Sequence, residues 1–203
     1  MHACLVLITK NLPTNEDISN YLARFDEENL YKEDENGVSL YQQLTTKELK
    51  EKYPFQWDCW QVGGRYGGRI KYKLEEEDYR YLDHNINMKK IRSNFYDKIQ
   101  ERYDDPFSKA FNKEVDECEF VNYIGRRDNI LYCDGAKIST IQNIEEIKND
   151  FDYCLYDAIN DVAIAREYWD KNEWKNNGNF QSQMKEIIEK NTGAFLTIID
   201  IHY

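Results

Sequence analysis

No apolar run in these 203 residues approaches the roughly 18 needed to cross a bilayer, and Met1–Ile8 lacks the basic flank and the length of a secretion signal. These absences predict a soluble, cytoplasmic chain with no membrane partner. Basic residues are also in deficit: 27 Lys and Arg stand against 38 Asp and Glu, giving a formal net charge of −11 at pH 7. Duplex-DNA binding draws most of its affinity from cations that neutralise phosphates, so the charge argues against it but leaves room for a small anion in a local basic pocket. The five cysteines (Cys4, Cys59, Cys118, Cys133, Cys154) are odd in number and have no Cys-x-x-Cys pair, which favours buried free thiols over zinc or redox work. Only three histidines occur, without His-x-x-x-His spacing. A metal held by His202, Asp200 and Asp58 is set aside on ligand number and spacing, and no cofactor is expected. The Walker phosphate loop, the dinucleotide fingerprint and the Gly-x-Ser-x-Gly elbow are missing too, as are repeats and low-complexity segments.

What the chain does have is concentrated at residues 57–68, Trp-Asp-Cys-Trp-Gln-Val-Gly-Gly-Arg-Tyr-Gly-Gly, where four of its nine glycines fall within six positions. A strand-like run feeds into backbone that glycine alone bends freely, so main-chain N–H groups of Gly63, Gly64 and Gly67 can converge on an anion beside the Arg65 guanidinium. Trp57, Trp60 and Tyr66 can offer flat apolar faces to a base or sugar, and Arg65 or Arg69 a planar fork for phosphate. The competing reading is a glycine hairpin with core tryptophans and solvated arginines.

Around that motif the pattern predicts an α+β fold, a compact sandwich with a mainly antiparallel sheet and helices mostly on one face. At this length one domain, 1–203, is expected, with 75–115 as a charged, glycine-free helical insertion. The spacing predicts a central strand over 3–8, a helix from Pro13 with Ile18, Tyr21, Leu22 and Phe25 on one stripe, and a loop at 26–39. A short helix over 45–52 is followed by the motif strand 56–62, paired with a strand at 69–74. Short strands at 121–124 and 129–132 lead through a Cys133-Asp134-Gly135 turn to a strand at 137–141. Helices over 157–175 and 180–190 and a closing strand over 194–203 complete the chain.

In that closing strand Leu196, Ile198, Asp200 and His202 share one face by the period of two. A carboxylate beside an imidazole can orient a general acid/base or hold it protonated as an anion contact; a solvated pair at a strand end is the alternative. The runs Glu33-Asp34-Glu35 and Glu75-Glu76-Glu77-Asp78 read as solvated faces or as a surface that captures a basic partner.

Tyr21-Leu-Ala-Arg-Phe-Asp-Glu-Glu-Asn29, the run Trp57–Gly67 and the closing Leu196–His202 together resemble a group of small, mostly uncharacterised proteins encoded by bacteriophages and mobile elements. Cys59 stands where that group's motif would have another aromatic. The resemblance implies an α+β domain in which the Gly-Gly-Arg turn and the Asp200/His202 strand meet in one site. It also implies a role against host defence. The expected function is therefore sequestration of a small phosphorylated or nucleotide-like ligand by Trp57, Asp58, Trp60, Gly63, Gly64, Arg65, Tyr66, Gly67, Asp200 and His202. A metal-independent phosphodiesterase using His202 and Asp200, and an acidic inhibitor of a host defence protein, are the alternatives; a homo-oligomer is compatible with each.

Overall fold

The computed structural model describes residues 2–73, 125–127, 130–150, 154–170 and 173–202. Strand β1 (His2–Thr9) is the central element expected from its continuous apolar run. Leu5, Val6, Leu7 and Ile8 are all fully buried, because alternation sends neighbours to opposite faces and both faces are covered. Each such side chain contributes about 1.5–3 kcal/mol. Helix α1 (Asn15–Leu22) starts with a capping box: the Asp17 N–H donates to Thr14 Oγ1 and the Thr14 N–H to the Asp17 carboxylate. Its Ile18 and Leu22, one turn apart, are buried with Phe25.

The expected loop at 26–39 contains a short helix, α2 (Glu27–Tyr31), because the Asp26 carboxylate caps the Glu28 N–H and Leu30 is buried. After α3 (Leu40–Gln43) comes α4 (Thr46–Lys52), the helix expected at 45–52. The motif strand is shorter than expected, β2 (Cys59–Val62), and it is not a hairpin with β3 (Ile70–Lys73). Instead β3 pairs with β5 (Ile130–Cys133), whose other edge pairs with β4 (Gly125–Arg127), in a separate three-stranded sheet. The expected insertion at 75–115 and strand at 121–124 lie outside the described residues. Asp134-Gly135 carries the chain from the small sheet into the large one, entering β6 (Gly135–Lys137), rather than turning a hairpin. Where a strand was expected at 137–141, Ile138–Thr140 form a 3₁₀ turn, and helix α5 (Ile144–Asp150) follows.

The largest correction falls on 157–175, expected as helix and found as strands. β7 (Cys154–Asp157) and β8 (Val162–Ala165) form a hairpin, and β9 (Glu167–Asp170) pairs with β10 (Glu173–Asn176). The Asp157 carboxylate accepts the N–H groups of Ile159 and Asn160, and Asp161 takes φ 56°, so the chain is turned before a helix can propagate. Ala163 and Ala165 then pack on one face of the sheet and Ile164 on the other, a period of two. Helix α6 (Phe180–Lys190) and strand β11 (Phe195–His202) match expectation.

The large sheet is mixed and mainly antiparallel, in the order β2-β11-β1-β7-β8, with β6 also on β11. On one face Val6, Ile8, Leu196 and Ile198 pack against Phe180, Met184 and Ile188 of α6 and Ile147 of α5. On the other, Leu5, Leu7, Ile199 and Ile201 meet Ile18, Leu22 and Phe25. The class is α+β, with the helices more evenly divided between faces than a one-sided arrangement. No helix among the described residues is long and apolar enough to cross a membrane.

Candidate functional site

One edge of β11 carries two strands end to end: β2 pairs with Ile199–His202 and β6 with Phe195–Thr197. At the changeover Ile198 is served by both, accepting from the Gly63 N–H at 2.8 Å and donating to the Asp134 carbonyl at 2.7 Å. The chain must leave the sheet at Gly63 for β6 to enter, and the glycines make that exit. Gly63, Gly64 and Gly68 take φ of 68°, 48° and 71°, the left-handed region that suits glycine. Gly67, expected to share this role, has an ordinary φ of −63°.

Two carboxylates occupy the inside of this turn. Asp134 is fully buried and accepts the Gly68 N–H; Asp200, 3% exposed, accepts the Arg65 N–H at 2.9 Å. A Cβ on Gly63 would lie 2.4 Å from the Asp134 carboxylate, and one on Gly64 2.4 Å from Cβ of Asp200. The expected convergence of the Gly63, Gly64 and Gly67 N–H groups on an anion is not what the turn shows: the Gly63 N–H donates to the Ile198 carbonyl and the Gly67 N–H to the Gly64 carbonyl, while the Arg65 and Gly68 N–H groups serve the chain's own aspartates. Neither tertiary partner was legible in the motif, since Asp134 and Asp200 lie far along the chain.

Register sorts the rest. β1 and β11 pair so that His2 faces His202 and Cys4 faces Asp200; β2 adds Cys59 opposite His202 and Gln61 opposite Asp200. The Asp200 carboxylate bonds His2 Nδ1 at 2.9 Å, not His202 as their shared face suggested. His202 Nδ1 lies 2.8 and 2.9 Å from the two Asp58 oxygens, and the Asp58 N–H donates to the His202 carbonyl. The two imidazoles meet edge to face with centroids 4.8 Å apart. Each ring is thus anchored through Nδ1 on its own carboxylate, which orients it.

Partial desolvation pushes the Asp58 carboxyl up, but hydrogen bonds from His202 and Cys59 outweigh it and hold the group below the ordinary carboxylate value. The Cys59 thiol is pushed up, by desolvation first and by hydrogen bonding to Asp58 second. Cys59 is exposed, which corrects the expectation that the cysteines are buried thiols; Cys4 and Cys154 fulfil it.

Of the three motif aromatics, Tyr66 alone joins this face: its hydroxyl reaches the His2 carbonyl at 3.4 Å, and the Arg69 guanidinium lies 5.2 Å from its ring centroid. Arg65 and Arg69 are both exposed. Trp57 and Trp60 pack on the opposite face of the sheet, and the Trp57 indole N–H donates to the Leu22 carbonyl at 2.9 Å. Sequence reasoning placed them in the site; the alternation of β2 sends Trp60 away from it. It left out His2, for which the signal is the pairing of the first and last strands, and Cys59 and Gln61, which the pairing of β2 with the last strand brings opposite His202 and Asp200. Comparison with protein-family models, with curated proteins and with solved structures finds no match to this chain.

Proposed function

We propose that the chain binds a small phosphorylated, nucleotide-derived ligand and retains it without turnover, on the face formed by His2, His202, Tyr66 and the Arg65 turn. The observation that carries this reading is the pair of imidazoles 4.8 Å apart, each anchored through Nδ1. Protonated, two such rings offer positive edges to one phosphate, and the exposed Arg65 and Arg69 add guanidinium forks nearby in the chain. Retention is favoured over cleavage because the Arg65 and Gly68 N–H groups are engaged by Asp200 and Asp134, so those donors do not serve a developing oxyanion. The resemblance to phage-encoded proteins adds the context: removal of a nucleotide signal used in host defence.

A second reading, a metal-independent phosphodiesterase, draws on the same pair of rings, one as general base and the other as general acid. Mass spectrometry of small molecules released by heating the purified protein separates the two. An intact phosphorylated compound, absent from the His202→Ala variant, is expected. A cleaved product supports the second reading, and no phosphorylated compound from any preparation overturns retention.

A further inference from the structure

We propose that Asp58, Cys59 and His202 form a binding site for a divalent transition metal of the zinc class, with a fourth position open to solvent or to a ligand oxygen. Their donor atoms, a carboxylate oxygen, Sγ and an imidazole nitrogen, all lie within 4.8 Å of one another. Tetrahedral zinc, with bonds of about 2.0 Å to nitrogen and oxygen and about 2.3 Å to sulfur, needs donors about 3.3–3.6 Å apart, which side-chain rotation supplies. His202 Nδ1 and Asp58 Oδ1 stand at 2.8 Å, the spacing of a shared proton, and an ion would take that proton's place.

The three ligands are set by backbone. Cys59 faces His202 across the β2–β11 ladder, and the Asp58 N–H is fastened to the His202 carbonyl at 2.9 Å. Asp58 and His202 side chains are 39% and 38% exposed, so an ion can enter from solvent. Mixed nitrogen, oxygen and sulfur donors suit zinc or cobalt and not magnesium or calcium. This corrects the set considered from sequence, because Asp200 is turned to His2 and Arg65 while Cys59 takes its place. Three protein ligands and an open position are the pattern of sites that act on something, in contrast to closed structural sites.

The inference goes beyond the phosphorylated-ligand reading and does not require it. Titration of the metal-free full chain with Co²⁺ alone, followed by optical absorption, tests it without any organic ligand. A thiolate-to-cobalt charge-transfer band at one equivalent is expected, together with visible bands of tetrahedral intensity that Zn²⁺ abolishes. Cys59→Ser should remove the charge-transfer band, and His202→Gln should weaken binding at least tenfold, with circular dichroism unchanged in both. Absence of the band in the wild type, or its persistence in Cys59→Ser, would overturn the site. Ligand release measured in excess chelator tests the other reading separately, so either can fail alone.

Discussion

Gly63 and Gly64 sit against carboxylates that leave no room for a methyl group, and both have positive φ. Gly63→Ala and Gly64→Ala should each cost about 2–4 kcal/mol, combining left-handed strain with displacement of Asp134 or Asp200. Gly67→Ala, at an ordinary φ, should cost less than about 1 kcal/mol. Urea unfolding of the three variants checks this ordering; equal losses would contradict it. Arg65→Ala should leave stability unchanged, since its side chain is exposed, yet weaken ligand binding by about 1.5–3 kcal/mol in calorimetric titration. The need for glycine was legible in the sequence because spacing alone exposes a turn. What fills the turn was not, because Asp134 and Asp200 reach Gly68 and Arg65 across 66 and 135 residues, and no local pattern encodes such contacts.

Capping chemistry marks two of the helices that were readable, whereas the Asp26-capped α2 and the Ser39-capped α3, at five and four residues, are too short to show a helical stripe. The Thr14 box starts α1 and the Thr45 box, closed by Glu48, starts α4, each a short-range signal written in four residues. Strands β8 to β10 were misread because Ala158, Val162, Ala165 and Trp169 also fit a helical stripe, while the Asp157 turn that excludes it depends on one carboxylate. Thr14→Ala should cost about 1 kcal/mol. Backbone hydrogen bonding to the Thr14 and Thr45 N–H groups holds Asp17 and Glu48 below their ordinary values. A depressed folded-state pKa gives stability that is complete above the unfolded value and lost as pH falls through the folded one. The Thr14→Ala penalty should therefore be full at neutral pH and shrink below the ordinary carboxylate value of 3.8 that Asp17 would otherwise have. Unfolding free energies of wild type and variant across that acid range test the sign.

At the scale of the whole molecule, the sheet joins the chain's first and last strands, and that closure sets His2 beside His202. The same sheet buries Cys4 and Cys154, and burial pushes both thiols well above the ordinary value of 9.0. Raised folded-state values mean stability complete below about pH 9 and lost as pH rises beyond it, so stability should begin to decline there. Cys154→Ala should make that alkaline decline shallower in denaturant melts. The α+β class was legible because strand and helix periods alternate along the chain, whereas the meeting of two ring–carboxylate pairs follows only from register. The chain has just three histidines, so imidazole resonances read that meeting directly. Titration of a panel of mono-, di- and cyclic nucleotides, followed by NMR of the three rings, tests the central claim. The account predicts that at least one phosphorylated compound shifts the His2 and His202 rings together and stays intact for hours. Shifts at neither ring, or cleavage of the compound, would contradict it.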